Sequence, residues 1–305
     1  MSDVKCRNVL LVGASGNAGK NILPALLADT NFKVSVLSRA DSSATFPANA
    51  NIIHVNYSDK PALVKALTGQ DVVVSAVGGE ALLNNLDKSI IEACLQAGVK
   101  WFIPAEYGFD FNHDSASSIP INNGRLENIK ILKENQSNLA HTFVSTGAFL
   151  DWGLDTGFLG FDIANRRVTL YDQGKNLVSG TILKNLGKTI VAILHQPQLT
   201  LNKRIYIADA TFTQQDILAL FEKYTNVKWA VKHATTEETL KNAEEAWTNG
   251  NILDGYIGFI LGLAYSGKGA CDFEDKINNQ DLGLERVSLE QAIKEAVQRN
   301  KINVH

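Results

Sequence analysis

The amino-acid sequence predicts an α/β protein: a Rossmann-type, doubly wound and mostly parallel sheet, followed by a smaller helix-rich C-terminal lobe. Three observations predict this fold. Short apolar segments alternate with helical patterns through the first half of the chain, a glycine-rich turn joins the first strand to the first helix, and helical patterns dominate the second half. Apolar strands joined by helices form a parallel sheet that is covered on both faces.

The first predicted strand, at residues 9–12, ends in a turn with the glycine spacing GxxGxxG. Gly13 allows a tight turn, Gly16 allows the backbone to approach a pyrophosphate, and Gly19 allows the following helix to pack closely on the strand. The helix N-terminus presents unpaired N–H groups to the phosphates. We therefore predict a dinucleotide site here, contacted by Gly13, Ser15, Gly16, Asn17, Ala18 and Gly19.

The alternation continues along the first half of the chain. Further strands are predicted at residues 34–37, 51–55, 71–75, 99–103 and 141–144. Helices are predicted between them at about 59–68, 81–97 and 122–136. The spacing of apolar residues alternates between that of strands and that of helices, which is typical of βαβ units.

The second half is less regular. Its predicted elements are a helix at 182–194, a strand at 204–207, and helices at 213–224, 236–265 and 288–299. We expect parts of residues 180–210 to complete the sheet. The predicted division is a dinucleotide-binding domain over 1–150 and a substrate lobe over 151–305, with no linker between them.

The end of the second strand indicates which dinucleotide is bound. In such folds an acidic residue at this point favours NAD, whereas an arginine accommodates the 2′-phosphate of NADP. This chain has Ser38 and Arg39 there, with no acidic residue before Asp41. We therefore predict NADPH as the coenzyme. Small residues follow the fourth strand where the backbone could approach the nicotinamide-side ribose: Ala76, Val77 and Gly78.

Composition excludes several other classes. The net charge of −3 gives no basic excess to bind nucleic acid or anionic lipid. Three widely spaced cysteines argue against a disulfide framework or a zinc cluster. The N-terminus has no apolar leader, and the longest apolar run, at 256–265, is too short to span a bilayer. We expect a cytoplasmic protein, monomeric or homodimeric, with no metal at the polar loop around His113.

Besides Arg39, four segments form a pattern that extends over essentially the whole chain: residues 13–19 (GASGNAG), 102–108 (FIPAEYG), 144–149 (VSTGAF) and 174–181 (GKNLVSGT). Their order and spacing resemble the isoflavone reductase-like and NmrA-like branch of the atypical short-chain dehydrogenases, in particular its fungal members. The resemblance implies a Rossmann domain, NADPH, and reduction of a carbonyl, enone or benzylic ether in an aromatic or polyketide-like substrate. It also implies that the segment 104–108 and Phe149 lie near the nicotinamide.

One departure from the family pattern concerns catalysis. Reductases of this family have a lysine as general acid/base on the helix that follows the 102–108 segment. Aligning the apolar positions of this helix places Leu126 at that position. The alternatives are Arg125, which cannot shuttle a proton but can stabilise an oxyanion, and Lys130, one helical turn further on. Tyr107 is a further candidate proton donor.

Two other patterns occur in the second half of the chain. Tyr171 and Lys175 match the Tyr-x-x-x-Lys string of short-chain dehydrogenases, but their β-like neighbours and Gly174 place them on a strand and turn. Aromatic residues of the second half are mostly core, with a few lining an apolar pocket. The predicted substrate contacts are Glu106, Tyr107, Phe149 and Trp152, and the predicted catalytic residues are Tyr107 and Lys130.

These observations predict an NADPH-dependent oxidoreductase that reduces a carbonyl or enone of an aromatic or polyketide-type small molecule, in secondary metabolism as in many fungal members. Two alternatives stay open. One is a non-redox enzyme on the same scaffold, such as a cyclase, dehydratase or isomerase. The other is a regulator that senses NADP without turnover, as NmrA-like proteins are thought to do.

Overall fold

The structure, a computed structural model, describes residues 6–300. Its strands are β1 Asn8–Val12, β2 Lys33–Arg39, β3 Asn51–Val55, β4 Val72–Ser75, β5 Trp101–Ile103, β6 Ala140–Ser145, β7 Ala148–Phe149, β8 Phe161–Asp162, β9 Arg167–Tyr171, β10 Val178–Thr181, β11 Lys203–Tyr206, β12 Ala210–Phe212 and β13 Ala230–Ala234.

The α-helices are α1 Gly19–Ala28, α2 Lys60–Leu67, α3 Glu80–Leu83, α4 Leu86–Ala97, α5 Asp114–Ser117, α6 Asn123–Glu134, α7 Leu150–Asp155, α8 Leu183–His195, α9 Pro197–Thr200, α10 Gln214–Thr225, α11 Thr236–Thr248, α12 Ile252–Ala264 and α13 Leu289–Arg299. Short 3₁₀ turns lie at Pro120–Asn122, Asp172–Gly174 and Glu274–Lys276. Within residues 6–300, no helix is long and apolar enough to cross a bilayer.

Seven parallel strands form the central sheet, in the order β11-β6-β5-β4-β1-β2-β3. Successive side chains of a strand point to opposite faces. Accordingly Leu10 and Val12 belong to the core on one face, whereas Val9 and Leu11 belong to the core on the other. The order of the first six strands is that of the Rossmann fold, so the predicted fold class is confirmed.

Helices cover both faces of this sheet. Apolar residues of α2, α4 and α6 enter the core on one face, and those of α1 and α8 enter the core on the other. The strand predicted at 204–207 is β11, which pairs with β6 at the edge of the sheet. Doubly wound sheets of this kind gather the carboxyl ends of their strands at one edge, where ligands bind.

The C-terminal half adds two three-stranded sheets and most of the remaining helices. One sheet has the order β12-β10-β7 and the other β13-β9-β8. Helix α11 packs on α12, and α10 packs on α13. The apolar core of this half is continuous with the core on the α2–α4–α6 face of the central sheet.

Two helices predicted as continuous are interrupted in the structure. The helix predicted at 81–97 is divided into α3 and α4 by Asn85, whose φ is +51°, and the one predicted at 236–265 is divided into α11 and α12 near Gly250, whose φ is +81°. Asparagine and glycine tolerate the left-handed region better than other residues. The apolar spacing continues across both breaks, which is why the sequence pattern alone predicted single helices.

Helices α1 and α8 approach each other closely at Gly187. A Cβ atom at this position would lie 2.2 Å from the carbonyl oxygen of Asn21 and 3.1 Å from the Cβ of Ala25. The near contact is with backbone, which cannot rotate away as a side chain can. Glycine at 187 therefore sets the distance between the two helices that cover one face of the sheet.

We expect Gly187→Ala to lower the free energy of unfolding by about 1–3 kcal/mol, because the added methyl group separates α1 from α8. Lys188→Ala, which alters the exposed neighbour on the same helix, is the matched control and should change stability little. Chemical denaturation of both variants measures the difference. Equal stabilities of the two variants would contradict the packing constraint.

Candidate active site

The glycine turn between β1 and α1 is held against the end of β4. Gly13 has a φ of +77°, and a Cβ atom there would lie 2.5 Å from the carbonyl oxygen of Ala76. A Cβ atom on Gly19 would lie 2.2 Å from the carbonyl oxygen of Gly13. The N–H of Gly16 donates to that same oxygen at 3.0 Å and closes the turn. Two of the three glycines are therefore required by close backbone contacts.

Helix α1 begins directly after this turn. Ala18 precedes it and provides no side-chain cap. The first N–H groups of a helix lack acceptors within the helix, and their partial positive charge attracts anions. Lys20 and Asn21 donate their N–H groups to the carbonyl oxygens of Gly16 and Ala18, at 2.9 and 3.0 Å. The positive end of α1 lies at the glycine turn, where the sequence pattern predicts a phosphate group.

A cleft of about 620 Å³ lies over the carboxyl ends of β1, β2 and β4. Its lining includes these residues predicted to contact a coenzyme: Gly13, Ser15, Gly16, Ser38, Arg39, Ala76, Val77 and Gly78. Gly19 is outside the lining because it packs against Gly13. Asn17 and Ala18 line the neighbouring cavity, which is described below.

Arg39 is exposed at the rim of this cleft. Its side chain is 68% exposed, and its Nε lies 3.6 Å from a carboxylate oxygen of Asp41. An ion pair between two exposed groups contributes little free energy. The guanidinium is therefore free to exchange this contact for a phosphate.

Residues that follow β3, among them Tyr57 and Lys60, also line the cleft and were not predicted from sequence. The hydroxyl of Tyr57 donates to the carbonyl oxygen of Leu37 at 3.0 Å, and burial raises the pKa of Tyr57 to about 12. Lys60 lines the cleft and lies 3.4 Å from Glu92. Their position after a parallel strand was the available signal, because all such strand ends meet at this edge.

A second cavity, of about 340 Å³, opens from the cleft. Gly16, Ala76, Val77 and Gly78 line both spaces. Its walls are largely aromatic and aliphatic, and Arg125 is the one charged side chain among the described residues that line it. We call it the aromatic cavity after its lining rings: Tyr107, Phe109, Phe111, Phe149, Trp152, Phe158 and Tyr256.

Three of the predicted substrate contacts, Tyr107, Phe149 and Trp152, line this cavity. The ring of Trp152 lies 5.1 Å from that of Phe158. The hydroxyl of Tyr107 donates to the carbonyl oxygen of Ser75 at 2.8 Å, and burial raises its pKa. The Tyr107 proton is thus engaged by the backbone and is harder to release than that of a free phenol.

Helix α6 presents Arg125 to the cavity, and not Leu126, the residue that aligns with the family lysine. Leu126 packs against the apolar core and Arg125 lines the cavity. Adjacent residues of an α-helix point about 100° apart, so Arg125 and Leu126 face different surroundings. Lys130 lies outside the cavity: its side chain is 75% exposed and its Nζ is 4.0 Å from Glu134.

The Arg125 guanidinium has weak partners. Its Nη1 donates to the carbonyl oxygen of Ile121 and to Oδ1 of Asn122, each at 3.4 Å. Its central carbon lies 5.6 Å from the centre of the Phe111 ring. Within residues 6–300, no carboxylate forms an ion pair with it at 4 Å or less. The cation is therefore available to an oxygen atom of a ligand.

Glu106, predicted to contact the substrate, is 1% exposed and does not line the aromatic cavity. Its Oε2 accepts a hydrogen bond of 2.9 Å from Nη2 of Arg204. Nε of the same guanidinium lies 3.8 Å from Asp110, and its central carbon lies 4.9 Å from the ring centre of Phe143. Burial raises the pKa of Glu106 to about 6, against the opposing effect of Arg204. This ion pair joins the loop after β5 to β11.

Two other sequence patterns lie apart from the site. Tyr171 is at the end of β9, where its ring stacks on Tyr265 at 5.4 Å, so Tyr171 and Lys175 do not share a helical face. Around His113, as elsewhere in residues 6–300, no group of three or more potential ligands could hold a metal ion.

The fold and the two connected spaces define a Rossmann-type α/β protein in which a cleft over the strand ends opens into an aromatic cavity. The chain belongs to the NmrA-like family, whose model matches residues 5–253. It is 33% identical over 249 residues to oxidoreductase aprR of Aspergillus flavus, covering 80% of this chain and 83% of that protein.

Solved structures agree with the fold. The crystal structure of an isoflavone reductase matches with a TM-score of 0.77 at 19% identity, over 95% of this chain and 99% of that one. The leucoanthocyanidin reductase–NADPH complex from Vitis vinifera matches with a TM-score of 0.76 at 18% identity, over 95% and 99% of the two chains. The protein thus has the fold of these two reductases.

We expect Arg204→Met to lower the free energy of unfolding by about 3–5 kcal/mol, because it leaves Glu106 buried without its cation, whereas Asp110 keeps its ion pair with Lys276 at 3.3 Å. Arg299→Met is the matched control. Arg299 pairs with Asp155 at the surface, so its loss should change stability by less than about 1 kcal/mol. Chemical denaturation of both variants measures the two free energies of unfolding. A similar decrease in each would show that the buried ion pair stabilises the fold no more than the surface pair.

Proposed function

We propose that this oxidoreductase uses NADPH to reduce a carbonyl or enone of an aromatic or polyketide-type small molecule. The observation that carries the proposal is the continuity of the cleft with the aromatic cavity, at whose wall Arg125 is the one charged side chain among the described residues. When bound, NADPH supplies a hydride. The protein has to place an electrophilic carbon next to it and stabilise the charge that develops on oxygen.

The residues of the cleft fit a phosphorylated dinucleotide. The turn at Gly13 and the positive end of α1 lie where the diphosphate would bind, and Arg39 offers a cation near the end of β2. The NADPH complex of leucoanthocyanidin reductase, which has the same fold, supports this assignment. The nicotinamide end would then lie toward Ala76, Val77 and Gly78, which line both spaces.

The aromatic cavity fits a flat apolar substrate. Rings from the 104–111 loop, from α7 and from α12 form its walls. Such pockets bind by burying apolar surface, and a few polar groups fix the orientation. In this cavity Arg125 would orient the substrate oxygen and stabilise it as an oxyanion, in place of the lysine that is usual in related reductases.

We expect Arg39→Ala to weaken NADPH binding by roughly ten- to a hundredfold, because a charge-assisted contact to the 2′-phosphate is lost. NADH, which lacks that phosphate, should bind almost unchanged. Calorimetric titration with both coenzymes measures the difference. Arg167→Ala, which removes an exposed arginine that does not line the cleft, is the control. Equal losses for NADPH and NADH would contradict the role of Arg39.

We expect Arg125→Leu to lower kcat by roughly 10²–10³-fold, the usual effect of removing one oxyanion donor. The Kd for NADPH should not change, because Arg125 does not line the coenzyme cleft. The assay follows NADPH oxidation with a panel of aryl ketones, aryl enones and diketones such as benzil. Arg125→Lys restores a cation and should recover much of the rate.

Lys130→Leu tests the alternative that Lys130, one helical turn after Arg125, is the catalytic residue. Because the Lys130 side chain points to solvent, we expect wild-type kcat for this variant. A large loss in Lys130→Leu with full activity in Arg125→Leu would overturn the assignment of Arg125. Product formation without NADPH consumption would instead indicate non-redox chemistry on this scaffold.

A further inference from the structure

A third, smaller space of about 150 Å³ lies behind Arg125. It shares Leu82, Ala105, Ile121 and Arg125 with the aromatic cavity, so the guanidinium lies at the boundary between the two. Its lining, unlike that of the aromatic cavity, is rich in polar side chains. We call it the polar chamber, and its polar residues are Asn85, Asp87, Glu106, Asn123, Arg125 and Asn128.

Two oxygen atoms of this lining are buried without a partner. Oε1 of Glu106 and Oδ1 of Asn128 have no hydrogen bond within the described chain, although the residues are 1% and 4% exposed. Buried polar atoms are nearly always hydrogen-bonded, to protein or to ordered water. A chamber of this volume accommodates several water molecules, because each occupies about 30 Å³ of liquid. The two oxygens are the acceptors that such water requires.

The chamber exists because two local features make room for it. Asn85 adopts a left-handed conformation, which interrupts the helix between α3 and α4. Gly124 faces it: a Cβ atom at 124 would lie 3.1 Å from Cγ of Asn85. A continuous helix and a larger residue at 124 would narrow this space.

A hydrogen-bonded chain leads from the chamber to the surface. Nδ2 of Asn128 donates to Oδ1 of Asn85 at 2.7 Å, and Nδ2 of Asn85 donates to Glu127 at 3.3 Å. Glu127 in turn pairs with Lys88 at 2.6 Å, and both side chains are partly exposed. Hydrogen bonds therefore link the lining of the chamber to two partly exposed charged side chains.

Reduction of a carbonyl requires a proton, and neither Arg125 nor Tyr107 in the wall of the aromatic cavity is suited to give it. Arg125 remains protonated under all ordinary conditions and cannot give up a proton. The Tyr107 hydroxyl is bound to the carbonyl oxygen of Ser75, and burial raises its pKa. The proton is therefore to be sought outside these two side chains.

We propose that the Glu106 carboxyl, through water held in the polar chamber, supplies the proton that the substrate oxygen takes up as the hydride is transferred. This inference rests on the proposed reductase function. The substrate carbonyl carbon accepts a hydride, with its two electrons, from the reduced coenzyme, and the carbonyl π pair moves to oxygen. That oxygen, held by Arg125, takes a proton from water, which is replaced from Glu106. Glu106 regains its proton from solvent through the chamber.

The charges around Glu106 are consistent with this role. Arg204 from β11 and Arg125 from α6 favour its ionised form, whereas burial and Asp87 from α4 favour the protonated form. Burial has the largest effect and raises the pKa to about 6. Asp87 is less suited as donor, because Ser75 and the Ala105 N–H already bind its two oxygens, at 2.5 and 2.9 Å.

The experiment measures single-turnover oxidation of NADPH with benzil as a function of pH, in H₂O and D₂O. In wild type we expect the rate to fall as the pH rises through about 6, because the protonated form of Glu106 is lost. Glu106→Gln should be slower by roughly 10²–10⁴-fold and lose this pH dependence. Asn128→Leu, which fills the chamber, should be slower with an unchanged Kd for NADPH.

Asn165→Leu is the matched control, because Asn165 is exposed and lines neither cavity. Infrared difference spectra of coenzyme-free wild type and Glu106→Gln provide a readout that does not depend on turnover: a protonated carboxyl band that titrates near pH 6 in wild type alone. If Glu106→Gln does not fold, the single-turnover rate of Asn128→Leu tests the proton route.

Asn128→Leu at the wild-type rate, or a Glu106 band that does not titrate, would overturn the proton route alone. A wild type that binds NADPH but oxidises it with no carbonyl of the panel would instead overturn the proposed function. The two failures are therefore distinguishable.

Discussion

The site depends on one close approach of backbone to backbone. The turn at Gly13 passes so near the carbonyl group of Ala76 that no side chain fits between them, and Gly19 packs with the same closeness on Gly13. This contact fixes the ends of β1 and β4 and the start of α1 relative to one another. The coenzyme cleft and the aromatic cavity share the residues at that point. The geometry of the proposed hydride transfer is therefore determined by glycines rather than by reactive side chains.

The polar groups of the site divide into those that face the ligand and those that hold the loops. Arg125 faces the aromatic cavity, where its guanidinium has only long hydrogen bonds. Arg204 is enclosed by Glu106, Asp110 and aromatic rings, and secures the loop after β5 to the edge strand. The Glu106 carboxyl group is related to both arginines. It accepts a hydrogen bond from Arg204, and it lines the polar chamber together with Arg125.

Much of the fold could be predicted from sequence because burial on both faces of a parallel sheet leaves a strong apolar pattern. The strand ends and the glycine turn followed from the same pattern. The breaks at Asn85 and Gly250 could not be predicted, since apolar spacing continues across them. Arg204 was missed because its partner Glu106 is 98 residues away. Arg125 was one of three alternatives, and only the rotation of α6 about its axis separates it from Leu126.

The apolar core on the α2–α4–α6 face of the sheet continues without a gap into the C-terminal half. If the two halves of the chain came from different relatives, the apolar surface of each half would therefore have to fit the other. Recombination at residue 150 would expose or misfit apolar side chains on both sides of the junction. New substrate preferences in this scaffold are more readily obtained by changing rings within the cavity wall than by transplanting a whole C-terminal segment.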